Sequence, residues 1–207
     1  MIGIDFDNTI ACYDNVFHRI AVAEGMIPPT TGRSKGAVRD WLRAAGREDD
    51  WTALQGLVYG ARIHLAPAFP GLLDFLRLCR SAGVPVAVVS HKTRHPFAGP
   101  AYDLHAAARG WLERLGVFDD PDIGLDPARV FFEPAKTGKL ARIGALSCSV
   151  FIDDLPEFLG EPGFPAGVRR IHFDPHATGD TPAGCERAGH WGEMAALVLP
   201  PPSGARA

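Results

Sequence analysis

Ile2-Gly3-Ile4-Asp5-Phe6-Asp7-Asn8-Thr9-Ile10 is a short apolar run that stops at two carboxylates one residue apart. The same pattern recurs four times. Residues 84–89 (VPVAVV) end at Ser90, 130–132 (VFF) at Glu133, 149–152 (SVFI) at Asp153-Asp154, and 168–173 (VRRIHF) at Asp174. Each run is rich in β-branched or aromatic residues and bounded by turn formers, which predicts buried parallel strands. Helical spacing appears between them. Leu72, Leu73, Phe75, Leu76 and Leu78 follow Pro70-Gly71 and stop at Ala82-Gly83, 104–115 closes at Gly116, and 139–146 follows Gly138. Strand and helix in alternation predict an α/β chain: a three-layer, doubly wound parallel sheet with right-handed crossovers. Parallel strands bring their C-terminal ends to one edge, so the polar residues that close each run meet where such sheets bind ligands.

Residues 11–66 break the alternation. They hold no strand candidate but three helical pieces, at 16–24, 36–45 and 51–63. A small α-helical cap inserted after the first strand is therefore expected, with the catalytic core formed by 1–10 and 67–199. Trp41, Trp51 and Tyr59 are expected to build the small core of that cap. The tail at 200–207 (PPPSGARA) reads as disordered.

Composition narrows the function classes. Apolar residues make up 46% and charged residues 22%, the soluble globular average, which excludes disordered and collagen-like chains. Lys and Arg number 21 against 24 Asp and Glu, so no charge excess favours nucleic acid or an acidic membrane. No apolar run approaches the roughly 20 residues of a membrane span. Cys12, Cys79, Cys148 and Cys185 form no CxxC pair. Met1-Ile2-Gly3-Ile4 has no basic leader region, so free thiols and a cytoplasmic location are expected.

Two residues along an extended chain advance about 6.6 Å and return to the same face, so Asp5 and Asp7 can flank one bound group. Asp153 and Asp154 end the fourth strand. Four carboxylates in one crevice push one another toward protonation unless a cation joins them. An oxygen-only donor set, with no His or Cys beside it, favours Mg²⁺ over zinc.

IGIDFDNTI resembles the DxDxT signature of the haloacid dehalogenase (HAD) superfamily in its phosphatase-type branch. Ser90 at the end of VAVVS resembles the second motif, the basic residue at 136–139 the third, and FIDD at 151–154 the fourth. The resemblance implies a Rossmann-like core and an Mg²⁺-dependent phosphatase acting on a small phosphate monoester. Asp5 would be the nucleophile and Asp7 the general acid and base. Asp5, the Asp7 carbonyl, Asp153 and Asp154 would hold the metal. Ser90, with backbone groups near Phe6, Asn8 and Thr9, would hold phosphoryl oxygens, and His91 and Lys92 would reach the anionic part of the substrate. For the third motif, Lys139 is favoured as the residue that opens the helix, where its ammonium joins the positive helix end, while Lys136 falls in the preceding loop. Glu133 and Leu140 exclude a P-loop here.

The implied ligand is a small phosphorylated metabolite, such as a sugar phosphate or a nucleotide, bound by a monomer or homodimer. A phosphomutase and a catalytically silent phospho-ligand binding module remain alternatives. Halide displacement is disfavoured because Asp7 and the carboxylates for a metal are present.

Overall fold

In the computed structural model of the protein, residues 1–177 and 179–199 are described. The first strand, β1 (Ile2–Ile4), is fully buried. It pairs in parallel with β2 (Val86–His91) on one side and β4 (Val150–Asp153) on the other, so that Ile4 stands opposite both Val88 and Ile152. β3 (Val130–Glu133) lies outside β2, while β5 (Arg169–Phe173) and β6 (Cys185–Ala188) continue beyond β4. The order β3-β2-β1-β4-β5-β6 is all parallel, as the alternation predicts. It reverses direction between β1 and β4. That switch point is where the loops leaving two neighbouring strands diverge and open a crevice.

The chain divides into two compact units. The first comprises Met1–Ile10, Phe69–His91 and the chain from Gly116 onward. Alternate strand residues feed its two core layers. Ala87, Val89 and Phe151 pack with Ile143 of α6 (Lys136–Ala145) and with Phe158 and Leu159 of α7 (Pro156–Leu159). On the other layer Phe173 packs against Phe69 and Trp191, and Trp191 of α8 (Trp191–Val198) against Phe75 of α4 (Leu72–Ser81). All four cysteines are free thiols, and burial pushes Cys79 up to about 12.

Gly3 lets β1 and β4 approach. A Cβ at that position would stand 2.6 Å from the Phe151 ring and 3.0 Å from Cys148 Sγ. Gly3→Ala is therefore expected to cost about 1–3 kcal/mol through overpacking, a fall in melting temperature of about 2–12 °C for a chain of this size. A thermal melt checks this, and an unchanged midpoint would show that the Phe151 ring moves aside.

The second unit comprises Ala11–Ala68 and Lys92–Leu115. It contains the three helices expected of the insertion, α1 (Val16–Ala23), α2 (Lys35–Ala44) and α3 (Glu48–Tyr59). It also contains α5 (Leu104–Arg114), which the alternation assigns to the core. The buried stripe of α5 includes Trp111, whose indole N–H donates to the Ala66 carbonyl at 2.8 Å. Trp51 is buried and packs on Phe17, and Tyr59 meets Tyr13 and Phe17 edge-on. The expected disordered tail at 200–207 lies outside the described residues. No helix among the described residues is long and apolar enough to cross a membrane.

Candidate active site

Asp5 follows β1 directly, and its backbone N–H donates to the Ile152 carbonyl at 2.9 Å, extending the β1–β4 ladder to the carboxylate. That bond sets Asp5 beside the end of β4. Asp5, Asp153 and Asp154 each offer a carboxylate oxygen within 4.8 Å of the other two, a group able to hold a metal ion. Asp5 is 5% exposed and Asp153 is fully buried. Asp7, half-buried, lies outside that carboxylate group.

Lys139 joins the two buried carboxylates. Its Nζ donates to Asp5 Oδ1 and to Asp153 Oδ2, each at 2.6 Å, and the residue is 2% exposed. The other Asp153 oxygen accepts from the Leu155 backbone N–H at 2.9 Å. Two rings complete the surroundings of the ammonium, Phe158 with its centroid at 4.1 Å and Phe151 at 5.3 Å. Lys136 lies apart, in an exposed ion pair with Glu161 at 3.4 Å. The helix begins at Lys136, whose predecessor Ala135 supplies no side-chain cap, so Lys139 sits one turn inside α6 rather than at its opening.

Burial pushes the Asp5 carboxyl up to about 7; the Lys139 ammonium pulls it back, and the charges of Asp153 and Asp7 add to the rise. Burial works against the Lys139 ammonium too, but the Asp153 and Asp5 charges and hydrogen bonds override it and hold the lysine protonated. One ammonium among three carboxylates leaves an excess of negative charge. A hard cation would offset it, and an all-oxygen donor set suits one.

The remaining predicted residues take different positions. Phe6 is fully buried and meets Phe132 edge-on at 6.0 Å, anchoring the loop between the two aspartates. Asn8 turns that loop with φ of 57°, a left-handed conformation that Asn tolerates better than most residues. Thr9 is fully buried, and its hydroxyl donates a long 3.5 Å hydrogen bond to Asp154. Ser90 is buried near the end of β2, opposite Phe132 in the ladder. His91 is exposed, with Nε2 at 3.2 Å from the Pro134 carbonyl oxygen. Lys92 belongs to the second unit, where its ammonium lies over the Tyr59 ring. Sequence reasoning missed Phe158 and Phe151 as neighbours of Lys139, because helical or strand spacing does not reveal which ring will face a buried cation.

No family model matches the chain, and no curated protein does. Solved structures do match. A HAD family hydrolase from Deinococcus radiodurans R1, with bound phosphate and sodium, is similar with a TM-score of 0.58 at 17% identity, over 95% of this chain and 93% of that one. The chain has the HAD fold. A predicted phosphoglycolate phosphatase from Haemophilus somnus 129PT matches with a TM-score of 0.55 at 13% identity, over 95% and 96% of the two chains. A dehalogenase matches at 0.54 and 14%, over 97% of each. Within this HAD fold, the carboxylates and Lys139 occupy the switch point between β1 and β4.

Proposed function

We propose that the protein is a HAD-type phosphatase that hydrolyses a small phosphate monoester through an aspartyl-phosphate on Asp5. The observation that carries this reading is the convergence of Asp5, Asp153 and Asp154 with the buried Lys139. A phosphoryl group is an anion with several oxygens, and its transfer needs positioning and charge neutralisation more than elaborate covalent machinery. Asp5, Asp153 and Asp154 would hold Mg²⁺, which when bound supplies positive charge to the phosphoryl oxygens.

The steps belong to the protein's own groups. An attacking carboxylate must be ionised; burial opposes this at Asp5, and the ammonium at 2.6 Å supports it. An Asp5 oxygen forms a bond to phosphorus as the bond from phosphorus to the leaving oxygen breaks. Asp7 is read as the general acid that gives a proton to that leaving oxygen. It then takes a proton from the water that attacks phosphorus, and inorganic phosphate departs as Asp5 is regenerated. Ser90, at the neighbouring strand end, is read as a hydrogen-bond partner of the phosphoryl oxygens.

The solved structures of this fold include dehalogenases as well as phosphatases. The three-carboxylate group favours the phosphatase, because halide displacement by a single aspartate has no use for it. Phosphate release from a panel of monoesters, with Mg²⁺ and with excess EDTA, tests the proposal. Release that Mg²⁺ supports and EDTA stops is expected. Release unaffected by EDTA would remove the metal from the scheme, and no release from any ester would refute the phosphatase.

A further inference from the structure

The first unit carries a cavity at the N-terminal ends of β2 and β3, the end of the sheet away from the carboxylates. It measures about 370 Å³, within the size range of small-molecule sites. The end of α4, the start of β2 and the stretch that leads into β3 enclose it. Val86 opens β2, and Ser90 stands four residues further along the strand, about 13 Å away. Leu76, Cys79, Ile123 and Leu125 line the cavity as buried side chains. Cys79 counts as apolar wall, since burial pushes its thiol up to about 12 and keeps it uncharged.

Arg80, Asp126 and Arg129 are the charged residues of the lining. Asp126 is already engaged: its carboxylate pairs with Arg129 at 3.7 Å and accepts from the Ala128 backbone N–H at 2.9 Å. Arg77, on the same helix as Arg80, is held by Asp74 and Asp120. The Arg80 side chain has no ion-pair or hydrogen-bond partner among the described residues. Its guanidinium lies flat over Gly124, where a Cβ would stand 3.5 Å from Cζ, 3.6 Å from Nε and 3.7 Å from Nη1. Such near-equal distances mean that the plane faces the glycine, so the N–H donors along its edge are not spent on that contact. A guanidinium fork matches a planar carboxylate through two parallel hydrogen bonds. Two arginines against one aspartate leave one positive charge in excess, which suits a monoanion better than a phosphate dianion. We propose that this cavity is a second binding site, for a small carboxylate with an apolar body, the body against Leu76, Ile123 and Leu125 and the carboxylate on Arg80.

Amide NMR of the isotope-labelled protein in EDTA tests it, with benzoate as the probe, benzamide as its uncharged match and phenylphosphonate as the dianion. Benzoate is expected to shift the amides of Gly83, Gly124 and Leu125 saturably. Its Kd should lie at least about tenfold below that of benzamide, the effect of a charge-assisted contact, and below that of phenylphosphonate. In Arg80→Met the benzoate Kd is expected to rise about tenfold or more, with benzamide unchanged. Arg80 is exposed, so the variant keeps its fold. The site is overturned by the absence of a saturable shift at these amides, by equal affinity for benzoate and benzamide, by benzoate binding that survives Arg80→Met, or by tighter binding of phenylphosphonate. None of these results bears on turnover at Asp5, so failure here leaves the phosphatase reading standing.

Discussion

Asp5→Asn is expected to lower turnover of any phosphate ester by a factor on the order of 10⁴ or more, as the loss of a covalent nucleophile does. The fold should persist. Asn has the shape of Asp and keeps the backbone bond to Ile152 that positions residue 5. It also removes a buried carboxylate that burial already pushes up to about 7. Lys139 retains Asp153 at 2.6 Å, so no ammonium is stranded. A kinetic assay beside a thermal melt separates the two effects. Activity within about tenfold of the native protein would remove Asp5 as the nucleophile, since neither electrostatics nor positioning makes an amide attack phosphorus.

Lys139→Met carries the second large effect, and here stability falls. The lysine is 2% exposed and holds two carboxylates that are themselves 5% and 0% exposed. Removing one partner from a buried ionic group leaves uncompensated charge, at a cost of about 3–5 kcal/mol, or about 6–20 °C in melting temperature for a chain this long. Methionine fills most of the volume between Phe151 and Phe158, so the loss reports charge more than packing. Mg²⁺ should recover part of the deficit in proportion to its occupancy, because an ion bound only by the folded state stabilises it by mass action. A melt without metal and another in excess Mg²⁺ measure both parts. A variant as stable as the native protein would mean that the Asp5 and Asp153 carboxyls do not depend on this ammonium.

The carboxylate end of the site was legible in the sequence because parallel pairing leaves little freedom. Once 2–4 and 150–152 are adjacent parallel strands, the residues that follow them, Asp5 and Asp153, must come together. Lys139 was legible as a lysine on the helix that leads into the fourth strand, but not in its setting: α6 begins at Lys136, and the ammonium reaches the carboxylates from inside the helix. The apolar face of α5 was visible too. Its partner was not, because Leu104, Ala108, Trp111 and Leu112 suit any apolar surface, and the helix joins the second unit. β6 escaped notice because Cys-Glu-Arg-Ala is a polar edge strand with no apolar alternation. α7 is a single turn of four residues, too short for periodicity to register, yet it supplies the Phe158 ring beneath Lys139. Lys92 was read from its place after Ser90; its stacking on Tyr59, 33 residues earlier in the chain, is a tertiary fact that no local spacing encodes.

The covalent intermediate itself is the most direct test. Protein quenched during turnover of a hydrolysed ester in Mg²⁺, reduced with borohydride and digested, should show homoserine in place of aspartate at position 5, because hydride reduces an acyl phosphate and spares a free carboxylate. Homoserine at position 5, dependent on substrate and absent without it, is the predicted result. Steady release of phosphate with Asp5 unchanged, or with the reduced residue at another aspartate, would contradict the account.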